Sequence, residues 1–296
     1  MFEEAHTHAR LHASSVHHTK ARMAVLDDIR SFASQYRRQV TVGGQAWCYY
    51  RLGRGAPMLW LTGGLRRAAL GFAFMRRLSA HYTLIAPDYP PVRSVDEFNA
   101  AFDSILETER IGRFVLGGQS YGGLLAQAYL ARRPQAVERL ILSSSGPADL
   151  AAAWLPVEYL AIALVRVLPE TMVKRMLARG LLKSVTLPAA ERLEWQDAIR
   201  GLLEQDLTRQ DVISHFAVAA DLIRKRPVTP AAYRDWRGRV VVLSAANDAT
   251  QDKRDLPRYE KLFGRPVERI DMGEMGHAAA LFAPEAYARL LEQALR

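Results

Sequence analysis

The stretch FVLGGQSYGGLLAQAYLARR, residues 114–133, decides the fold. It joins a short apolar run, Phe114 to Leu116, to a helical stretch that starts at Gly122 and is stopped by Pro134. The turn between them reads G-x-S-x-G around Ser120. Glycine is needed there because a sharp turn strains the serine backbone, and side chains two positions away would collide with it. A strand, a glycine turn and a helix together predict a serine hydroxyl presented at the edge of a sheet.

Short apolar runs alternate with amphipathic stretches on both sides of this turn. Runs such as MLWL, TLIA, LILS and VVVL are almost continuously apolar, which is typical of parallel strands covered on both faces. The alternation of strands and helices predicts an α/β fold with a mainly parallel sheet flanked by helices. Eight strands are predicted: Val40–Val42, Ala46–Arg51, Met58–Leu61, Tyr82–Ala86, Phe114–Leu116, Leu140–Ser143, Val240–Leu243 and Val267–Ile270.

Two further helices have clear sequence signals. Ser94 and Glu97 form a capping-box pattern at the start of one helix. Its apolar face is formed by Phe98, Phe102, Ile105 and Leu106. The last helix has an apolar stripe of Tyr287, Leu290, Leu291 and Leu295. Both patterns predict helices that pack against the sheet.

The alternation fails between residues 147 and 236, where the sequence indicates helices only. Breaks are predicted near Pro169, Pro188 and Pro227. Because this stretch lies between two predicted strands, it predicts a helical cap that roofs a crevice at one edge of the sheet. The stretch is rich in apolar residues, Trp154, Tyr159 and Trp195 among them. Most of these residues are expected to pack within it, and a minority are expected to line an apolar acyl or ring pocket.

The predicted organisation is a core of residues 21–146 and 237–296, a helical cap of residues 147–236 and a flexible tail of residues 1–20. The tail contains five histidines, but their spacing matches no tight metal site, and a disordered or tag-like segment is favoured. No metal or organic cofactor is expected.

Composition excludes several classes of protein. The 296 residues are 49% hydrophobic and 24% charged, unlike a disordered chain or a collagen. The net charge is +9, but the basic residues are scattered in pairs such as Arg66-Arg67, which favours a solvated basic surface over nucleic-acid binding.

Cys48 is the single cysteine, so an internal disulfide is excluded. No apolar run predicts a membrane span and no secretory signal is recognised, so a cytoplasmic setting is expected.

A serine nucleophile needs a base and an orienting carboxylate. His277 follows the last predicted strand, after GEMG (273–276), and is the predicted base. His81 precedes a strand, and His215 falls in the insertion, where a packed or pocket-lining role is expected. Asp248 lies just past the strand RVVVLSA and is the predicted acid, with Asp252 as the fallback.

Acyl transfer also requires hydrogen-bond donors for the developing oxyanion. The strand MLWL ends in Thr62-Gly63-Gly64, where glycine allows backbone N–H groups to face the crevice. The predicted donors are the backbone N–H groups of Gly64 and of Tyr121.

The segments LTGG, IAPDYP, GGQSYGG, AANDAT and GEMGH resemble the α/β-hydrolase fold superfamily from about Val40 to the end. The resemblance implies an eight-stranded sheet, a cap, and the same order of serine, acid and histidine. Two departures are present: Thr62-Gly63 stands where many relatives have His-Gly, and DYPP (88–91) replaces a glycine-rich loop. The second is expected to reshape a wall near the site.

The residues therefore predict a serine hydrolase that acts on an ester or related acyl substrate through an acyl-enzyme. Thioester, lactone and carbon–carbon bond cleavage use closely similar residues and remain alternatives. Haloalkane and epoxide hydrolysis are disfavoured because they require a carboxylate in place of Ser120. Three stretches, YYRLGRGAPMLWLTGG, APDYPPVRSVDEFNAAF and GGQSYGGLLAQAYL, also resemble maspardin-type proteins, which implies a non-catalytic partner-binding role as the alternative. The oligomeric state is not indicated.

Overall fold

The computed structural model describes residues 26–183, 201, 203 and 206–296. An eight-stranded sheet forms its centre, and all eight predicted strands are present. The strands are β1 (Arg37–Val42), β2 (Gln45–Leu52), β3 (Ala56–Leu61), β4 (Tyr82–Pro87), β5 (Phe114–Gln119), β6 (Val137–Ser143), β7 (Arg239–Ser244) and β8 (Glu268–Asp271). The predicted tail of residues 1–20 lies outside the described residues.

The order of the strands is β1-β2-β4-β3-β5-β6-β7-β8. Strand β2 is antiparallel to β1 and to β4, and every other neighbouring pair is parallel. The predicted mostly parallel sheet is therefore confirmed. Because parallel strands share one carboxyl edge, the segments that follow β3, β5, β7 and β8 gather at the same edge.

Helices cover both faces of the sheet. They are α1 (26–36), α2 (Phe72–Leu78), α3 (Val95–Thr108), α4 (Tyr121–Arg132), α5 (Leu155–Val167), α6 (Glu170–Lys183), α7 (Arg209–Lys225), α8 (Asp255–Phe263), α9 (Ala279–Phe282) and α10 (Pro284–Leu295). One apolar core packs the sheet against α3, α4 and α8, and a second packs it against α2 and α10. The central strands β3 and β7 are buried along four consecutive residues each, as the apolar runs predicted.

The predicted helix signals are confirmed at α3. The Ser94 hydroxyl accepts the backbone N–H of Glu97, and the Glu97 carboxylate accepts the backbone N–H of Ser94 at 2.9 Å. Phe98 and Phe102 are fully buried beneath this helix. Helix α4 begins at Tyr121, one residue earlier than predicted, because the Ser120 backbone completes the turn.

The described part of the insertion contains only helices: α5, α6, α7 and short 3₁₀ turns at Ala152–Trp154 and Pro230–Tyr233. Pro188 and Trp195 lie outside the described residues. A small apolar cluster that includes Ile162, Val165 and Val212 joins α5 to α7. Two residues contradict the expected packing, since the side chains of Trp154 and Tyr159 are 57% and 49% exposed.

Candidate active site

The turn between β5 and α4 holds Ser120 in a strained conformation, with φ at 53° and ψ at −119°. A Cβ atom at Gly122 would lie 2.1 Å from the carbonyl oxygen of Leu61, and one at Gly118 would lie 2.3 Å from the carbonyl oxygen of Gly122. Both contacts are with backbone, which cannot move aside. The G-x-S-x-G pattern is therefore a steric requirement of this turn, which presents Ser120 at the carboxyl edge of the sheet.

The structure brings together the three side chains that the sequence assigns to catalysis. The Ser120 Oγ lies 2.9 Å from His277 Nε2. On the other side of the ring, His277 Nδ1 lies 3.0 Å from Oδ2 and 3.2 Å from Oδ1 of Asp248. The Asp248 side chain is fully buried and that of His277 is 13% exposed. The arrangement forms one continuous hydrogen-bonded line from the hydroxyl to the carboxylate.

A fourth residue, Thr250, completes the surroundings of the carboxylate. Its hydroxyl donates to Asp248 Oδ1 at 2.7 Å and lies 2.8 Å from His277 Nδ1, while its backbone N–H donates to the same Oδ1 at 2.9 Å. Burial disfavours the charged form of Asp248, but hydrogen bonds from His277 and Thr250 outweigh it and hold the pKa of Asp248 below its usual value. The ionised carboxylate favours the tautomer in which Nδ1 carries the proton and Nε2 accepts from serine.

The fallback acid Asp252 and His81 lie outside the hydrogen-bonded line of Ser120, His277 and Asp248. Asp252 is paired with Arg254, whose hydrogen bonds lower the pKa of Asp252 to about 2. His81 directly precedes β4 and so lies at the amino edge of the sheet, away from Ser120. Among the described residues, no group of three or more His, Cys, Asp or Glu side chains could hold a metal ion.

The two predicted oxyanion donors belong to the segments that follow β3 and β5. Tyr121 is the first residue of α4, so the helix provides no acceptor for its backbone N–H. The helix dipole also makes this end favourable for negative charge. Gly64 follows β3 and lines the same cavity as Ser120 and His277.

Gln119, which the sequence reasoning did not single out, links these loops. Its side-chain amide donates to the carbonyl oxygen of His277 at 3.1 Å. A Cβ atom at Gly63 would lie 2.3 Å from Gln119 Oε1, so a larger residue at position 63 would displace the Gln119 amide from its present place. Gln119 therefore couples the position of the base to the loop that contains Gly64.

Arg66 contradicts the prediction of a solvated basic surface. Its side chain is completely buried, and its φ is 66°. The guanidinium donates to the carbonyl oxygens of Tyr89 and Pro90 at 3.2 and 2.7 Å, and to the Ser214 hydroxyl at 3.0 Å. It also lies 3.4 Å from the carboxylate of Asp211. Arg66 thus ties the loop after β3 to the loop after β4 and to α7 of the insertion.

None of the residues of DYPP (88–91) is among those that line the cavity beside Ser120, so the expected reshaping of a cavity wall is not found, and the segment braces neighbouring loops instead. The Tyr89 hydroxyl donates to the carbonyl oxygen of Thr62 at 2.9 Å, directly beside the oxyanion loop. Asp88 accepts the backbone N–H of Ala68 at 2.7 Å and the Tyr50 hydroxyl at 3.1 Å. Burial raises the pKa of Asp88 to about 6. These hydrogen bonds anchor DYPP (88–91) to the segment after β3 that contains the predicted oxyanion donor Gly64.

A cavity of about 530 Å³ opens beside Ser120. Its wall is mostly apolar and includes residues from both the core and the insertion. These residues include Trp60, Leu65, Phe74, Met176, Leu207, Val212, Phe216 and Leu281. A volume of this size suits a small organic ligand.

His215 lines this wall, in agreement with the predicted pocket-lining role, and Asp211, which pairs with Arg66, is a second polar residue that the insertion adds to it. Its ring lies against that of Tyr121, with 4.2 Å between centroids. A Cβ atom at Gly64 would lie 3.2 Å from His215 Cε1, so the imidazole faces the oxyanion loop. Burial, and to a smaller extent the charge of Arg66, lowers the pKa of His215 to about 4. The imidazole is therefore neutral at pH 7.

A serine, an aspartate and a histidine in this chain order, on loops at the carboxyl edge of an eight-stranded mostly parallel sheet, define the class of α/β-hydrolase-fold proteins. The model of the alpha/beta hydrolase family matches residues 53–290. The chain belongs to this family.

Solved structures are similar in fold at low sequence identity. A thermophilic esterase from Thermogutta terrifontis has a TM-score of 0.71 and 17% identity, covering 88% of this chain and 98% of the other. An enol-lactonase from Burkholderia xenovorans LB400 has a TM-score of 0.67 and 16% identity, covering 87% and 99%. A haloalkane dehalogenase variant from Bradyrhizobium elkanii has a TM-score of 0.65 and 19% identity, covering 87% and 95%.

These neighbours carry different activities on one fold, so they support the architecture rather than a reaction. No curated protein matches the chain. The resemblance to maspardin-type proteins therefore remains a hypothesis based on the quoted stretches.

Proposed function

We propose that the protein is a serine hydrolase that cleaves an ester or a related acyl substrate through an acyl-enzyme. The observation that carries this proposal is the line from Ser120 Oγ to His277 Nε2 at 2.9 Å and from His277 Nδ1 to Asp248 at 3.0 Å. A serine hydroxyl is a weak nucleophile until a base accepts its proton. Here the base is within hydrogen-bond reach of the hydroxyl, and the ionised carboxylate holds the required tautomer.

The first half-reaction forms the acyl-enzyme. His277 Nε2 takes the Ser120 proton as Oγ forms a bond to the carbonyl carbon, and the carbonyl oxygen becomes an oxyanion. The backbone N–H groups of Gly64 and Tyr121 stabilise that charge. The tetrahedral intermediate then collapses, the bond to the leaving oxygen breaks, and His277 donates its proton to the departing alcohol.

The second half-reaction reverses these roles. His277 takes a proton from water, the resulting hydroxide attacks the acyl carbon, and the bond to Ser120 Oγ breaks as the oxygen regains its proton. Asp248 stabilises the imidazolium ion in both halves. The products are a carboxylic acid and the original enzyme, so atoms and charges balance without a cofactor.

The cavity favours an apolar acyl or ring group. Phe74, Val212 and Leu281 form part of its wall, so burial of an apolar substrate supplies binding energy of roughly 25 cal/mol per Å². His215 provides one neutral hydrogen-bonding group beside the oxyanion loop. We assign to it the orientation of a polar atom of the substrate close to the carbonyl group.

Initial rates with p-nitrophenyl acetate, butyrate and octanoate test the proposal. The wild type is expected to turn over these esters. If deacylation is slower than acylation, it should also release an initial burst of p-nitrophenol equal to the enzyme concentration. Ser120→Ala is expected to lose turnover, while Ser79→Ala, a change at the end of α2, leaves it unaltered. Equal rates for Ser120→Ala and wild type would contradict the proposal, and absence of turnover on esters, thioesters and lactones would favour the partner-binding alternative.

A further inference from the structure

The insertion exposes an apolar surface on its outer side, here called the apolar cap face. It consists of Trp154, Val157, Leu160, Leu164 and Val167 on α5 and the turn before it, with Met172 and Met176 on α6. The side chains of Leu160 and Val167 are 60% and 78% exposed. Such a cluster is larger than the single exposed apolar residues that are normal on a soluble surface.

The apolar cap face follows the geometry of one helix side. Val157, Leu160, Leu164 and Val167 recur at intervals of three and four residues, so they form a continuous stripe along α5. The opposite side of α5 is already used, because Ile162 and Val165 are buried against the rest of the insertion. Packing among the described residues therefore does not explain the exposed stripe.

Unpaired arginines surround this stripe. Arg166 and Arg93 line a groove beside α5, and Arg175 and Arg179 are exposed on α6 between and beyond the two methionines. Within the described part of the chain, none of these four side chains has an ion-pair partner.

Most acidic groups nearby are paired with cations, and the exception among the described residues is Glu158 in the first turn of α5, whose pKa is raised by burial. The Glu170 carboxylate pairs with Lys174 at 3.1 Å, and Asp149 pairs with Arg258. Asp221, the acidic residue of the groove, is buried and bound by Arg224 and Lys225. The rim of the apolar cap face therefore has a net positive charge.

We propose that the apolar cap face docks on an anionic lipid bilayer. Apolar side chains flanked by arginines match an interface in which acyl chains lie below anionic headgroups. A second copy of the chain fits less well, since it would bring two sets of unpaired arginines together. Helix α5 has 13 residues and spans about 20 Å, so it lies in the interface rather than crossing the hydrocarbon. No described helix is long and apolar enough to cross a membrane.

Docking in this orientation brings the lipid next to the cavity. Met176 belongs to the apolar cap face and also lines the cavity beside Ser120, together with Leu177 and Gly180 of the same helix. An apolar ester dissolved in the bilayer therefore has a short apolar route toward the serine. This assignment of lipid-soluble esters as the substrate class rests on the proposed function, whereas the docking itself does not.

Co-sedimentation with vesicles tests the docking without hydrolysis when the full chain carries Ser120→Ala. Binding is expected to vesicles of equimolar phosphatidylcholine and phosphatidylglycerol, and to weaken with added salt. The triple substitution R166Q, R175Q and R179Q is expected to lower the partition coefficient roughly tenfold or more.

A matched control separates the effect of where the arginines lie from the effect of the protein's net charge. The triple substitution R54Q, R113Q and R237Q removes the same charge from three exposed arginines just before β3, β5 and β7, at the opposite edge of the sheet. It is expected to keep most of the binding. L160S with V167S is expected to weaken binding with no change in thermal midpoint, which excludes unfolding as the cause.

Equal binding by the two arginine triples, or no binding of the parent protein to anionic vesicles, would overturn the proposal. A dimer in sedimentation velocity that L160S with V167S dissociates, without vesicle binding, would assign the face to a second copy instead. If docking holds and p-nitrophenyl esters are cleaved in solution, but vesicle-dissolved esters are not hydrolysed, the lipid-soluble substrate class fails while the docking and the proposed function stand. If the wild type cleaves no ester in either form, the proposed function fails and the docking stands.

Discussion

Replacing Asp248 with Asn tests how the base is held and charged. Asp248 Oδ2 lies 3.0 Å from His277 Nδ1. When His277 accepts a proton, the two unit charges attract, and Coulomb's law at this 3.0 Å separation with an effective dielectric constant of about 20 gives about 5.5 kcal/mol. An amide removes that charge, and its NH₂ group can favour the tautomer whose Nε2 cannot accept the Ser120 proton. We expect kcat to fall by about 10⁴.

Initial rates with p-nitrophenyl acetate at neutral pH measure this loss. Asp252→Asn is the matched control, because Asp252 has the same side chain, lies four residues further along the chain and is paired with Arg254 instead of His277. We expect the control to retain wild-type activity and both variants to keep the wild-type thermal midpoint within a few degrees. A loss of less than tenfold in Asp248→Asn, or an equal loss in Asp252→Asn, would refute the assigned role.

Three further predictions concern the support of the site. Gly122→Ala places a methyl group 2.1 Å from a carbonyl oxygen, so we expect urea unfolding to show a free energy of unfolding about 3 kcal/mol or more below that of the wild type. Gly112→Ala has open space around the new methyl group, and its free energy of unfolding should stay within about 1 kcal/mol of the wild type. Burial raises the pKa of Asp88 from 3.8 to about 6, so the free energy of unfolding of the wild type should fall by about 3 kcal/mol relative to that of Asp88→Asn as the pH rises through this interval. If the two free energies of unfolding differ equally at pH 4 and at pH 7, the pKa of Asp88 is not shifted. His215→Phe keeps the ring packing on Tyr121 but removes the nitrogens, and we expect kcat/KM to fall by roughly threefold to tenfold, while an unchanged value would remove His215 from substrate orientation.

The strands and the candidate site were predictable because their signals are local. The apolar runs MLWL, FVLG and VVVL identify buried parallel strands, and Gly64, Ser120 and Asp248 lie within four residues of the ends of these strands. His277 follows β8, a shorter and mostly exposed strand. Once the strands are parallel, their carboxyl ends must share an edge. This is why Ser120, Asp248 and His277 could be assigned together, although Ser120 lies 157 residues and Asp248 lies 29 residues before His277 in the chain.

The support of the site was not predictable from local pattern. Arg66 lies in a pair of arginines typical of a solvated surface, but its partners are 23 to 148 residues away along the chain. Its burial follows from loop packing that no periodicity reports. Thr250 and Gln119 lie inside recognised segments, yet their hydrogen bonds depend on how neighbouring loops meet.

In the insertion, too, the local sequence pattern does not predict which apolar residues are buried. Its composition predicts internal packing, which holds for Ile162 and Val165. Helix α5 is apolar around most of its circumference, so the sequence does not indicate which side the protein buries. The exposure of Leu160 and Val167 is decided by where α5 rests on the rest of the insertion.

Covalent labelling with a fluorophosphonate, followed by mass spectrometry of the tryptic peptide of residues 114–132, measures the nucleophile directly. We expect one adduct per chain on Ser120, formed only by the wild type and abolished in Ser120→Ala. Stoichiometric labelling that persists in Ser120→Ala, or an adduct on another residue, would contradict the assignment of Ser120 as the nucleophile.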